Sequence, residues 1–156
     1  MINLPDRPAA PSRIGFVDDH PLTRFALRSL ILRQAGWKVA FECHEPAEML
    51  EALRHEVPDV LIVDLCFADA SGLDLLAEIK TTYPDTRTLV YSANHERQYA
   101  DRCFRLGACG YVSKEQPMHE VEQAIATVLR GYMYVSDRLT NGLMAELDAS
   151  FEPPHA

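Results

Sequence analysis

The chain has 156 residues, with Asp+Glu 23 against Lys+Arg 15 and a formal net charge of -8. That length suits one compact domain with a real core, and 47% hydrophobic with 24% charged residues is the composition of a globular chain with no apolar run long enough to cross a bilayer. So acidic a chain repels phosphate backbones, which argues against direct nucleic-acid binding by these residues.

The N-terminal stretch MINLPDRPAAPSR has no apolar core for export, and Pro5, Pro8 and Pro11 suit a flexible lead-in over residues 1–12. A cytoplasmic location is therefore expected, with no membrane partner. Cys43, Cys66, Cys103 and Cys109 fall in no CxxC pair and no zinc spacing, so free thiols are expected.

Ile14 to Val17 is a short apolar strand that ends in two adjacent carboxylates, Asp18 and Asp19, before His20 and Pro21. Pro21 to Gln34 reads as a helix with Leu22, Phe25, Ala26, Leu30 and Ile31 on its apolar stripe, closed by Gly36. Trp37 to Phe41 is a second strand. Pro46 to Glu56 is a second helix, with Ala47, Leu50, Leu53 and Val57 on one face. The run DVLIVD, Asp59 to Asp64, is the clearest strand, continuous and β-branched as in a parallel sheet buried on both sides. After FADASG comes a third helix with Leu73, Leu76, Ile79 and Tyr83 on one face. Thr86 to Tyr91 is a fourth strand, His95 to Leu106 a fourth helix, and CGYVS, Cys109 to Ser113, a fifth strand. Pro117 opens the last helix of this series, with Met118, Val121, Ile125 and Val128 at helical spacing.

Five alternating units predict an α/β fold: a doubly wound, five-stranded parallel sheet of flavodoxin-like order 2-1-3-4-5 with helices on both faces. In that order strands one and three are neighbours at the reversal point, where ligands bind beyond the carboxyl ends of the strands. Asp18, Asp19 and Asp64 then converge. Three carboxylates together raise one another's pKa unless something compensates, and Mg²⁺ is the economical compensation. Ser92 ends strand four and Lys114 follows strand five at the same edge. A carboxylate nucleophile, a metal, a cation and a hydroxyl form a site for making an aspartyl phosphate. Each residue alone has a plainer reading: Asp18-Asp19 as a turn and helix cap, Asp64 and Ser92 as turn residues, Lys114 as a solvated lysine, and Tyr111 as a half-buried strand aromatic.

VDDHP (17 to 21), LIVDL (61 to 65) with Gly72 eight residues after the aspartate, LVYSA (89 to 93) and GACGYVSK (107 to 114) together resemble the receiver domain of bacterial two-component response regulators. DDHPLTR and GACGYVSK are most similar to the branch whose receivers precede a LuxR-type helix-turn-helix. The resemblance spans roughly residues 12 to 131, and a receiver domain is assigned to 13–131. It implies Asp64 as phosphoacceptor, Mg²⁺ held by Asp18, Asp19, Asp64 and the backbone carbonyl of Cys66, and Lys114 paired with phosphoryl oxygens. It further implies that Ser92 bonds the phosphoryl group and that Tyr111 swings from exposed to buried as Ser92 moves inward. His20 is taken to bracket the site. Phe67 and Ala68 stand where many receivers have Met-Pro, which reshapes the loop beside the nucleophile, and Glu115 replaces a proline after the lysine. The Cys66 side chain is expected to tune phosphoaspartate hydrolysis.

Residues 132–156 are expected to form a linker helix and tail. Leu139, Leu143 and Leu147 recur every four residues beside Met144, before Pro153-Pro154, and so short a helix must dock on something. The implied partners are a sensor histidine kinase, a second copy of the chain in a homodimer, and DNA only through a C-terminal domain absent from these residues. The expected function is a phosphorylation-dependent switch that regulates transcription, rather than an enzyme. The alternative is a complete single-domain receiver acting as a phosphorelay or protein-binding switch. An aspartyl-phosphate phosphatase is disfavoured because Cys66 stands where that chemistry needs a second aspartate.

Overall fold

A computed structural model of the chain describes residues 10–65, 71–94 and 97–136. Its elements are β1 (Ser12–Val17), α1 (Pro21–Leu32), β2 (Trp37–Cys43), α2 (Pro46–His55), β3 (Val60–Val63), α3 (Ser71–Thr82), β4 (Arg87–Ser92), α4 (Arg97–Arg105), β5 (Gly110–Ser113), α5 (Met118–Leu129) and β6 (Tyr134–Val135). The expected tail helix, Cys66, Phe67, Ala68 and His95 lie outside the described residues.

All strand pairs are parallel, in the order β2-β1-β3-β4-β5-β6. The expected 2-1-3-4-5 order is therefore present, and the expected count of five strands is corrected to six. The sixth, Tyr134–Val135, lies within GYMYVS, and two residues are too few to leave a period in the sequence. The Tyr134 N–H donates to the Cys109 carbonyl at 2.9 Å, which fastens it to the outer edge of β5.

Alternation along the strands divides the core in two. Ile14, Phe16, Val60, Ile62, Leu89 and Val112 pack with Leu27, Leu30 and Ile31 of α1 and Val121, Ile125 and Val128 of α5. Val17, Leu61, Val63, Val90 and Tyr111 pack with Met49 and Leu53 of α2, Leu76 and Ile79 of α3, and Cys103 of α4. Two expected stripes need correction. Leu22 and Phe25 are exposed while Leu27 is buried, because α1 is apolar over most of its circumference and only the sheet selects the inward face. On α2, Ala47 is exposed and Met49 is fully buried, and Val57 lies beyond the end of the helix and is exposed. Burial pushes the Cys43 thiol up to about 11, helped by Glu48 and Glu42, and the Cys103 thiol up to about 12, so both are inert core groups.

Candidate functional site

The backbone ladder delivers the acidic residues. Val17 and Val63 face each other across β1 and β3, so the residues that follow them, Asp18 and Asp64, leave the sheet side by side. The Asp64 N–H donates to the Val17 carbonyl and the Asp18 N–H to the Cys43 carbonyl, each at 3.1 Å. Across the sheet Ser92 pairs with Ser113, and the Lys114 N–H donates to the Ser92 carbonyl at 2.8 Å. Strand register alone thus brings the ends of β1, β3, β4 and β5 to one edge. Pro21 occupies the first turn of α1, so the chain turns at His20 and the helix leaves the site at once. At Gly72 a Cβ would lie 2.8 Å from the Leu65 carbonyl oxygen, so only glycine lets α3 begin this close to the residue after Asp64.

Asp18 and Asp64 are each 1% exposed. The Lys114 ammonium lies 2.7 Å from Asp18 Oδ2 and 3.0 Å from Asp64 Oδ2. Burial alone would lower the Lys114 pKa; its contacts with the two carboxylates outweigh burial and hold it above the ordinary lysine value. The ammonium also sits 5.7 Å from the centroid of the Tyr91 ring. Burial is the main reason the Tyr91 hydroxyl titrates above its usual value, with Lys114 opposing it and the two aspartates adding to it. Asp19 is half exposed and joins the cluster through His20 Nδ1, at 2.9 Å.

His20 is more central than a bracketing position. Its Nδ1 lies 2.9 Å from Asp18 Oδ1, 3.7 Å from Asp64 Oδ2 and 3.2 Å from Lys114 Nζ, and its backbone N–H donates to Asp18 Oδ1 at 2.8 Å. Arg24, absent from the sequence expectations, donates from Nη1 to the Asp18 carbonyl at 2.8 Å and is itself drawn toward Glu42 at 3.5 Å. Nothing in its sequence context singles Arg24 out among the helix's polar residues.

Asp18, Asp19, His20 and Asp64 each offer a ligand atom within 4.8 Å of the others. Asp18 Oδ2 is buried and, despite its ionic neighbour Lys114, takes no well-directed hydrogen bond among the described residues. A buried, underused carboxylate oxygen within an oxygen-rich set fits a hard divalent cation. The carbonyl of Cys66, expected to complete the set, lies outside the described residues.

Ser92 is fully buried, and its Oγ accepts the Asn94 N–H at 3.1 Å. The Tyr111 hydroxyl donates to the Asn94 carbonyl, so one residue links the two sequence-predicted positions. Tyr111 is 2% exposed, inside the fold, with the Tyr99 ring edge-on at 6.3 Å. The plainer reading of Tyr111 as a half-buried strand aromatic is corrected, and the ring is already in its buried position here: α4 closes over it through Tyr99.

Residues 14–126 match the family model of the response regulator receiver domain. A putative transcriptional regulator of Pseudomonas aeruginosa is 36% identical over 123 residues, covering 79% of this chain and 59% of that protein. The virulence factors putative positive transcription regulator BvgA of Bordetella pertussis is 30% identical, covering 79% and 58%. The chain thus spans about three fifths of the length of these relatives. A crystal structure of a LuxR-family two-component response regulator from an Aurantimonas species superposes with a TM-score of 0.81 at 30% identity, covering 88% of this chain and 98% of that one.

Proposed function

The chain belongs to the response regulator receiver domain family, and from that premise we propose that it is a signalling switch set by phosphorylation of Asp64. The observation that carries this is the pairing of buried Asp64 with Lys114 at 3.0 Å beside a second buried carboxylate, Asp18. Asp64 Oδ attacks the phosphorus of a donor, a P–O bond forms, and the donor's bond to phosphorus breaks with its electron pair leaving on the donor. A sensor histidine kinase is the proposed physiological donor, its imidazole being the leaving group. Lys114 neutralises charge on the transferred group, and the N–H and hydroxyl groups around Ser92 position it. Asp18, Asp19, Asp64 and the Cys66 carbonyl would hold Mg²⁺, which when bound supplies positive charge to the phosphoryl oxygens.

Output runs through Ser92, Asn94 and Tyr111. Drawing Ser92 Oγ toward a phosphoryl oxygen releases the Asn94 N–H, and Asn94 carries the change to the Tyr111 hydroxyl beneath α4. The likeness to transcription regulators supports control of transcription, with DNA contacted by a domain outside these residues and homodimerisation as the proposed output.

Incubation of the purified chain with Mg²⁺ and acetyl phosphate tests the reading by intact mass. Gain of one phosphoryl group, abolished by Asp64→Asn and by a chelator, is expected. A folded sample that gains none, or gains it equally in Asp64→Asn, sinks the proposal.

A further inference from the structure

We propose that His20 is a nitrogen ligand of the metal site, which strengthens the hold of the site on first-row transition divalent ions relative to Mg²⁺. The inference rests on the acidic metal site described above and extends its donor set by the imidazole of His20. Its first support is that a cation already sits against this nitrogen. The Lys114 ammonium has hydrogens only to donate, and it lies 3.2 Å from His20 Nδ1 while touching Asp18 Oδ2 at 2.7 Å and Asp64 Oδ2 at 3.0 Å. In the tautomer that leaves Nδ1 unprotonated, its lone pair and the two buried carboxylates therefore converge on one positive centre.

The second support is the crowding of Nδ1. It stands 2.9 Å from both Asp18 Oδ1 and Asp19 Oδ1. A single ring proton bridges those oxygens in one tautomer; in the other, a cation among them removes the repulsion between lone pairs. The third is the buried Asp18 Oδ2, which takes no well-directed hydrogen bond among the described residues and whose contact with the Lys114 ammonium a metal ion can replace. Imidazole suits first-row transition ions, whereas Mg²⁺ prefers an all-oxygen shell, so the ring shifts affinity toward transition ions without displacing the carboxylates. Main-chain geometry holds the ring in reach: the His20 N–H donates to Asp18 Oδ1 at 2.8 Å, and Pro21 fixes the turn into α1. A second group, His44, Glu45 and Glu48, also brings ligand atoms together, but it is largely exposed and remote in sequence from the buried carboxylates.

The test is pulsed electron paramagnetic resonance of Mn²⁺ bound to the whole chain, which detects nitrogen directly coordinated to the ion. Expected are nitrogen modulations in the native chain and in His44→Ala, and their loss in His20→Ala with Mn²⁺ still bound. By calorimetry, His20→Ala should weaken Co²⁺ binding about tenfold while leaving Mg²⁺ within about twofold. Bound Mn²⁺ without nitrogen modulation, or modulation that survives His20→Ala, overturns the proposal and leaves the acidic metal site standing. Failure of every divalent ion to bind, or binding unchanged in Asp18→Asn, overturns both.

Discussion

The two ends of the sheet carry charges of the same kinds and use them in opposite ways. At the end where the strands begin, Arg13, Asp59 and Arg87 each meet a matched partner. The Asp59 carboxylate accepts the Arg13 N–H at 2.7 Å, while the Arg13 guanidinium binds Glu56 at 3.2 Å and the Val57 carbonyl at 2.8 Å. Arg87 donates to the Val128 and Leu129 carbonyls at 2.9 Å, capping the last turn of α5. A cavity of about 420 Å³ lies among Arg13, Asp59 and Arg87, but these side chains are already bound to backbone groups and to Glu56.

At the end where the strands finish, two carboxylates of 1% exposure share one ammonium, and one of their oxygens takes no directed hydrogen bond among the described residues. The first end spends its charges on holding helices and strands in register. The second holds like charges together at a cost in stability, and that imbalance is what a cation or a phosphoryl group can relieve.

The largest expected effect separates the two ends by function. Asp64→Asn should abolish phosphorylation by acetyl phosphate while the protein stays folded. Asp59→Asn should leave phosphorylation within about twofold and cost about 1 kcal/mol of stability, read from urea unfolding. Equal loss of phosphorylation in both variants would break the comparison.

Next in size, Lys114→Ala, measured without divalent ions, should cost about 3 kcal/mol, because it leaves two buried carboxylates without their cation. Adding Asp64→Asn should return much of that loss, since the remaining charge is then single; an additive double variant would mean that the three groups do not act as a unit.

Gly72→Ala should cost about 2 kcal/mol by pressing a methyl group against the Leu65 carbonyl, and it should also slow phosphorylation by shifting the chain next to Asp64. A neutral result would show that α3 can retreat freely.

The smallest effect is one of pH. The folded Lys114 pKa lies above the ordinary value of 10.5, so its stabilising contribution is complete below that value and is lost as pH rises through the folded pKa. The stability gap between the native chain and Lys114→Met should hold steady through neutral pH and narrow only as pH rises above 10.5. A gap that widens on the alkaline side contradicts the ion pairing.

Much of the fold was legible because strand and helix periods differ and parallel sheets obey few connections. Asp18, Asp64 and Lys114 were legible as a group for the same reason: each follows a recognisable strand, and the strand order makes those ends neighbours. His20 was underestimated because its importance lies in the direction of one ring nitrogen, a rotamer property that spacing does not encode. Asn94 and Arg24 were missed because each acts largely through backbone atoms, Asn94 by its N–H and carbonyl and Arg24 by binding the Asp18 carbonyl. The buried face of α1 was misread because Leu22, Phe25, Leu27, Leu30 and Ile31 surround too much of the helix for one stripe to stand out.

The sequence by itself determined the alternation of elements, the strand order from two to five, and the chemical types available at the site, because these depend on local periodicity and chain connectivity. Only the tertiary structure decided which side of α1 meets the sheet, that Tyr134–Val135 extends it, that Tyr111 lies under Tyr99, and that His20 Nδ1 and Lys114 meet over Asp18. Those outcomes depend on packing and side-chain direction between segments far apart in the chain, and no local pattern carries that information.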